Sequence, residues 1–122
     1  MGFDRKISFH KNYFQEFYIK QTPKVREKIG YVLKLISSVE RIPEKFLKHI
    51  ESSEGLYEIR VQSGNNIFRI FCFFDTKNIV VLFNGFQKKS QKTPKQEIEL
   101  AMKLKKDRAC NEIEKRIFNL KK

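Results

Sequence analysis

Three apolar runs separated by two turn signals fill the middle of the chain. In Leu56 to Gln62, Tyr57, Ile59 and Val61 alternate with Glu58, Arg60 and Gln62. Period two is the mark of a strand with one face on a core. Ser63 to Asn66, rich in Gly and Asn, predicts a hairpin turn. Ile67 to Phe74 is apolar on both faces, which predicts a central strand, with Arg69 as its single charge. Asp75 to Asn78 turns the chain again, and Ile79 to Phe83 makes the third strand of a meander.

Helical periods flank this meander. Upstream, Ile7 and Phe9 alternate with polar neighbours and predict a short strand from Arg5 to Phe9. Asn12 is positioned to cap a short helix with Phe14, Phe17 and Tyr18 inward. Thr22-Pro23 is a strong start signal, Thr as N-cap and Pro at the first helical position. Val25, Ile29, Val32, Leu33 and Ile36 then form one stripe, which fades at Ser37-Ser38. Residues 40 to 54 read as a connector with a helical turn around Phe46 and Leu47, since Pro43 opposes a longer helix. Downstream, Thr93-Pro94 repeats the start signal, with Gln96 in the reciprocal position of a capping box. The helix it opens would turn Ile98, Ala101 and Met102 to the sheet. Ala109, Ile113, Ile117 and Leu120 continue a stripe beyond Asp107, either packed back or extended as a partner-binding arm.

These elements predict an α+β fold: a mostly antiparallel sheet with two N-terminal helices packed on it and a C-terminal helix. A single domain over residues 1–122 fits the length, with about 107–122 as a helical extension. Hydrophobic residues make up 40% of the chain and 12 residues are Phe, enough for a core without disulfides. Cys72 and Cys110 are isolated, so neither a zinc site nor a disulfide framework is expected. The first 20 residues hold no run of seven apolar residues, and no segment approaches the roughly 18–20 needed to cross a bilayer. A cytoplasmic, reduced protein is expected.

Charge changes the picture most. The formal net charge is +12 and the isoelectric point about 9.8, which favours anionic partners such as nucleic acid or the ribosome. A Lys-rich genome-wide bias is the plain alternative. The cations are also placed: Arg60 and Arg69 sit inside strands, and Lys88, Lys89, Lys92 and Lys95 follow the last strand with no acid among them.

The segments Gly55-Leu56-Tyr57-Glu58-Ile59-Arg60 and Phe68-Arg69-Ile70-Phe71, and the strand Ile79 to Phe83, carry a family resemblance. The most specific part is Gly85-Phe86-Gln87-Lys88-Lys89-Ser90-Gln91-Lys92-Thr93-Pro94, with Glu97 and Ala101 following. Over about Arg5 to Lys106 the chain resembles toxins of the bacterial RelE/ParE superfamily, in the phage-derived HigB-like branch. The resemblance implies a RelE-like fold and a ribosome-dependent mRNA endonuclease that cuts the codon in the A site. It also implies contact with ribosomal RNA and a cognate antitoxin of helix-turn-helix type. Operator DNA would be met only through the toxin–antitoxin complex; no membrane partner, metal or cofactor is expected.

RNA can be cut without metal when the ribose 2′-OH attacks the adjacent phosphate. The step needs a base, a cation for the phosphate and an acid for the leaving oxygen. No Asp/Glu cluster lies near the lysines, which argues against a two-metal nuclease, and His10 and His49 read as structural or solvent-exposed. Arginine and lysine remain. Arg69 is the candidate for stabilising phosphate charge; the alternative is a buried ion pair with Glu58 or a carboxylate near the C-terminus. Arg60 would hold backbone phosphate, or simply lie on a solvated face. Lys88, Lys89 and Lys92 are catalytic candidates because crowding of like charge favours proton transfer, with electrostatic docking as the alternative. Lys95 and Phe86 complete the expected RNA-binding set. Whether Arg60 and Arg69 share a sheet face depends on register, which strand parity alone leaves open. Some superfamily members use a C-terminal His or Tyr, and residues 84 to 122 contain neither. A gyrase-directed ParE-like toxin and a non-catalytic basic RNA- or ribosome-binding module are the rival functions.

Overall fold

A computed structural model describes the backbone of residues 3–120, and their side chains apart from those of Lys77 and residues 118–120. The chain runs β1 (Lys6–Phe9), α1 (Tyr13–Ile19), α2 (Pro23–Ser38), β2 (Leu47–His49), β3 (Tyr57–Ser63), β4 (Asn66–Asp75), β5 (Ile79–Lys88) and α3 (Lys95–Leu120). The strands form one sheet in the order β1-β5-β4-β3-β2. Among the described residues only β1 and β5 pair in parallel; the other neighbours are antiparallel. The α+β expectation, with two N-terminal helices and a C-terminal one, describes the molecule.

The strand apolar on both faces, β4, is the middle strand, because both of its faces are covered. Toward α1 and α2, Ile59, Val61, Phe68, Ile70, Cys72, Val80 and Leu82 pack on Phe14, Phe17, Val25, Ile29, Val32 and Ile36. Thr22 caps α2 as its sequence predicts, Oγ1 accepting from the Val25 N–H at 3.3 Å. Toward α3, Leu56, Phe71, Val81, Phe83 and Phe86 pack on Ala101 and Leu104. Burial pushes the Cys72 thiol well above its ordinary range, so it is inert core.

Several local expectations are corrected. The predicted helical turn is there as a single turn, the Phe46 and Leu47 N–H groups both closing on the Pro43 carbonyl (2.9 and 3.2 Å), but the connector does not continue: Leu47 already begins β2. Asn12 precedes α1, but its side chain donates to Glu16 Oε1 at 3.0 Å instead of capping the backbone. The α3 start is shifted to Lys95, with the Glu97 and Ile98 N–H groups closing on the Pro94 carbonyl at 3.1 and 3.3 Å. Met102, expected to face the sheet, is 43% exposed, and Leu104 is buried in the core instead. The third strand is twice as long as its apolar run and reaches Lys88. Its apolar pattern is broken by a bulge: between the pairs Ile70↔Gly85 and Cys72↔Leu82, Phe71 alone faces Phe83 and Asn84.

Two contacts fix the sheet to its helices. At Gly85 an added Cβ would lie 2.5 Å from the Phe17 ring, so α1 seats directly on the backbone of β5. On the other side, buried Asn84 donates through Nδ2 to the Glu97 carbonyl (3.1 Å) and to Glu97 Oε2 (2.8 Å). Further along α3, Asp107 Oδ2 lies 2.9 Å from buried His10 Nε2 and 3.1 Å from Lys11 Nζ. Beyond that latch the helix is unpacked: Ile113 and Ile117 are 57% and 49% exposed. The stripe from Ala109 therefore extends outward through Ile117, and the Leu120 side chain lies outside the described residues.

Gly85→Ala should lower stability by about 1–3 kcal/mol, the usual cost of overpacking, read as a lower urea midpoint at unchanged slope. A second expectation concerns pH. Lys11 first, then His10, hold the Asp107 carboxyl below its ordinary value by hydrogen bonding. A depressed carboxyl contributes stability above its unfolded value, about 3.9, and loses it as pH falls through the folded one. Asp107→Asn should therefore melt below the parent at pH 7, and the gap should close progressively below about pH 4.

Candidate functional site

The register of the β3–β4 hairpin answers what parity could not. Arg60 pairs directly with Arg69, so the two side chains stand side by side on one face of the sheet. Glu58, paired with Phe71, stands on that face too. This is the face that α3 covers, but α3 covers only the end near Leu56, Phe71 and Phe83. The end toward the hairpin tip carries the cations.

Like charges opposite one another on adjacent strands repel. Glu58 lies between them and is buried, at 5% exposure. Its Oε1 is 3.7 Å from Arg60 Nε and its Oε2 is 3.7 Å from Arg69 Nε. Those spans are too long for hydrogen bonds, and both Nε atoms and Glu58 Oε2 are buried without one. The cluster is held by charge. Burial pulls Arg69 down from its ordinary value, opposed by Glu58 and reinforced by Arg60. Only Nη1 of the Arg69 fork finds an acceptor among the described residues, the Phe68 carbonyl at 3.1 Å. The ion-pair alternative for Arg69 is thus present, with Glu58 as partner. Two guanidinium groups against one carboxylate still leave the cluster a net cation, and Arg60 is only half-buried.

Lys88 belongs to the same surface. It is the last residue of β5, not a loop residue as its distance from the apolar run suggested, and it pairs with Ile67. Phe86, two residues earlier, pairs with Arg69, so Lys88 stands one row beyond Arg69 on the same face. Lys88 and Lys89 line a cavity with Ile67, Ser90 and Gln91. Lys92 is exposed on the following turn, where the Ser90 hydroxyl donates to its carbonyl at 2.9 Å. Lys95 is exposed at the start of α3, 3.9 Å from Glu99. The sheet thus brings Arg60, Arg69 and Lys88 onto one face, Lys89 adjoins Lys88 at its cavity, and Lys92 lies on the turn that follows β5.

Phe86 is corrected from the RNA-binding set. It is 9% exposed and packs on Phe71 with ring centroids 5.6 Å apart, so it is core and offers no ring to a base. His10 is structural as expected, and His49 is exposed with its ring edge-on to Tyr57. Among the described residues no three His, Cys, Asp or Glu side chains are grouped to hold a metal ion.

Three residues escaped the sequence reading. A groove of about 700 Å³ holds Arg60 and Arg69 together with Lys28 and Tyr31 of α2 and Lys45 of the turn before β2. The available signal was Tyr31, an aromatic off the apolar stripe of a helix rich in lysine.

Glu58→Gln should destabilise the fold by about 3 kcal/mol, because buried Arg69 and half-buried Arg60 lose their counter-ion. Chemical denaturation measures it, and a stability within about 0.5 kcal/mol of the parent, the ordinary scatter of surface substitutions, would contradict the charge-held cluster.

No curated protein matches the chain. The family described as phage derived protein Gp49-like (DUF891) matches residues 16–106. That span contains both arginines, the whole β3–β5 meander, the lysine segment and the first half of α3. No helix among the described residues is long and apolar enough to cross a membrane. The chain belongs to the phage-derived Gp49-like family, a toxin-like family of the RelE/ParE superfamily.

Proposed function

We propose that this protein is the toxin of a type II toxin–antitoxin pair, of the HigB-like branch, and an endoribonuclease that cuts mRNA in the ribosomal A site. The observation that carries the reading is the register that sets Arg60, Arg69 and Lys88 on one open sheet face with a single buried acid among them. A polyanion entering that face meets a net positive cluster already assembled.

The chemistry follows from the groups present. The 2′-hydroxyl gives up its proton to water as its oxygen attacks the adjacent phosphorus, the bond to the 5′-oxygen breaks, and a 2′,3′-cyclic phosphate and a 5′-hydroxyl result. Charge grows on the non-bridging oxygens at the transition state. Arg69, fixed by the Phe68 carbonyl and by Glu58, stabilises that charge; fixed donors work because they need no reorganisation. Arg60 holds the neighbouring phosphate. Lys88 donates a proton to the departing 5′-oxygen, and Lys89, Lys92 and Lys95 seat the toxin on mRNA and ribosomal RNA. The protein acts in the cytoplasm and is silenced by a cognate helix-turn-helix antitoxin, through which alone it reaches operator DNA.

Induced expression followed by mapping of mRNA 5′ ends tests this. Cuts confined to translated frames, and lost when the start codon is removed, are expected. Arg69→Lys keeps a cation beside Glu58 but loses the planar fork, so it should fold and lose activity about 100-fold or more. Growth arrest with intact mRNA would replace the endonuclease with a gyrase-directed toxin or a ribosome-blocking binder.

A further inference from the structure

The 700 Å³ groove is larger than the phosphate site needs. Its shape comes from the shortness of β2, which pairs with β3 only at Tyr57, Glu58 and Ile59. The Arg60 N–H still reaches the Phe46 carbonyl across that edge, at 2.8 Å. Gln62, two residues on, turns its N–H and carbonyl to the same side, where β2 has ended. The sheet edge is therefore open there, and α2 lies alongside it.

What α2 presents to this edge is Tyr31. Its neighbours Ile29 and Val32 are fully buried, yet Tyr31 is 57% exposed. No core contact explains a large aromatic at that position. Lys28 Nζ lies 5.4 Å from the Tyr31 ring centroid, and Lys45 lines the same groove with its Nζ 5.5 Å from the Phe46 ring centroid. The groove's lining contains no acid; Glu27 lies at its outer end, toward Ser63 and Gly64. An exposed ring, two lysines, two arginines and free strand-edge amide groups in one trough match the chemistry of a nucleotide. The ring takes the base, the cations take the phosphates, and the edge of β3 is placed to read base heteroatoms.

We infer that this groove binds the nucleotide flanking the phosphate at Arg69, with its base stacked on Tyr31 and its phosphates held by Lys28 and Lys45. The inference rests on the endonuclease reading and extends it. It supplies the stacking group that Phe86, buried in the core, does not.

The test is fluorescence anisotropy with a labelled single-stranded RNA hexamer carrying 2′-O-methyl riboses, which cannot be cut by 2′-OH attack, and with the same backbone lacking bases. Tyr31→Ala and Tyr31→Leu should each weaken binding of the base-containing hexamer by roughly 10-fold, and Tyr31→Phe should not. On the abasic hexamer all three should bind as the parent does. Because Tyr31 is exposed, circular dichroism should show every variant folded. Parent-like affinity of Tyr31→Ala for the base-containing hexamer overturns the inference, as does an equal loss on both oligomers. If Arg69→Lys weakens both oligomers while the Tyr31 variants change nothing, the phosphate site stands and the groove alone fails. If the parent binds neither oligomer, both readings fall.

Discussion

Two arginines placed opposite each other on neighbouring strands would push the hairpin apart, and one buried carboxylate keeps them together. Glu58 lies 3.7 Å from each guanidinium Nε and is sealed from water. Its position is dictated by the same register that pairs Arg60 with Arg69, since a slip of β3 by one residue would turn Glu58 and Arg60 to the α1–α2 face, away from Arg69. Moving charges into a protein interior is costly, and a neutral, apolar trio would make a more stable sheet. The fold keeps the charged one. The arrangement is stable only with Glu58 present, yet two positive charges against one negative leave it attractive to an added anion.

The same sheet face has to be core at one end and surface at the other. Helix α3 divides it. Asn84 on Glu97 fixes where the helix starts, Ala101 and Leu104 close over Phe71 and Phe83, and the His10–Asp107–Lys11 latch holds it down. A helix anchored at those points cannot slide toward the hairpin tip. Arg60 and Lys88 stay partly open for that reason, and the distal part of α3 leaves the domain with Ile113 and Ile117 exposed. On the opposite face no such division exists: α1 sits on Gly85 through Phe17, and α2 fills the rest.

Much of the fold was legible because the signals were local. The alternation in β3, the two-sided apolar run of β4 and the Thr22-Pro23 start are each decided within a few residues. What was not legible depended on distant partners. β2 is three residues of ordinary connector that become a strand only because the edge of β3 is there to pair with. Lys88 looked like loop because the apolar run stops at Phe83, but pairing with β4 carries the strand five residues further through polar sequence. Phe86 looked exposed because it sits among lysines, whereas Phe71 across the sheet buries it. The site followed the same division: its residue types were visible, while the shared face of Arg60 and Arg69, and the approach of Tyr31 from α2, came from pairing and packing.

Docking and cleavage draw on the same cations, so the charge of this surface cannot by itself distinguish a nuclease from a binder. What separates them physically is restraint. A docking lysine works as a point charge from many rotamers, and Lys92 and Lys95, exposed on a turn and a helix end, are of that kind. A group that lowers a transition state has to be held before the charge develops. Arg69 meets that condition, buried at 7% exposure, with Nη1 bonded to the Phe68 carbonyl and Nε drawn toward the Glu58 carboxylate by charge. Burying an arginine weakens it as a general electrostatic attractor and helps it only if a charged oxygen arrives at one defined place. That cost is hard to account for in a surface built only for adhesion, and it is the physical difference between Arg69 and the exposed lysines around it.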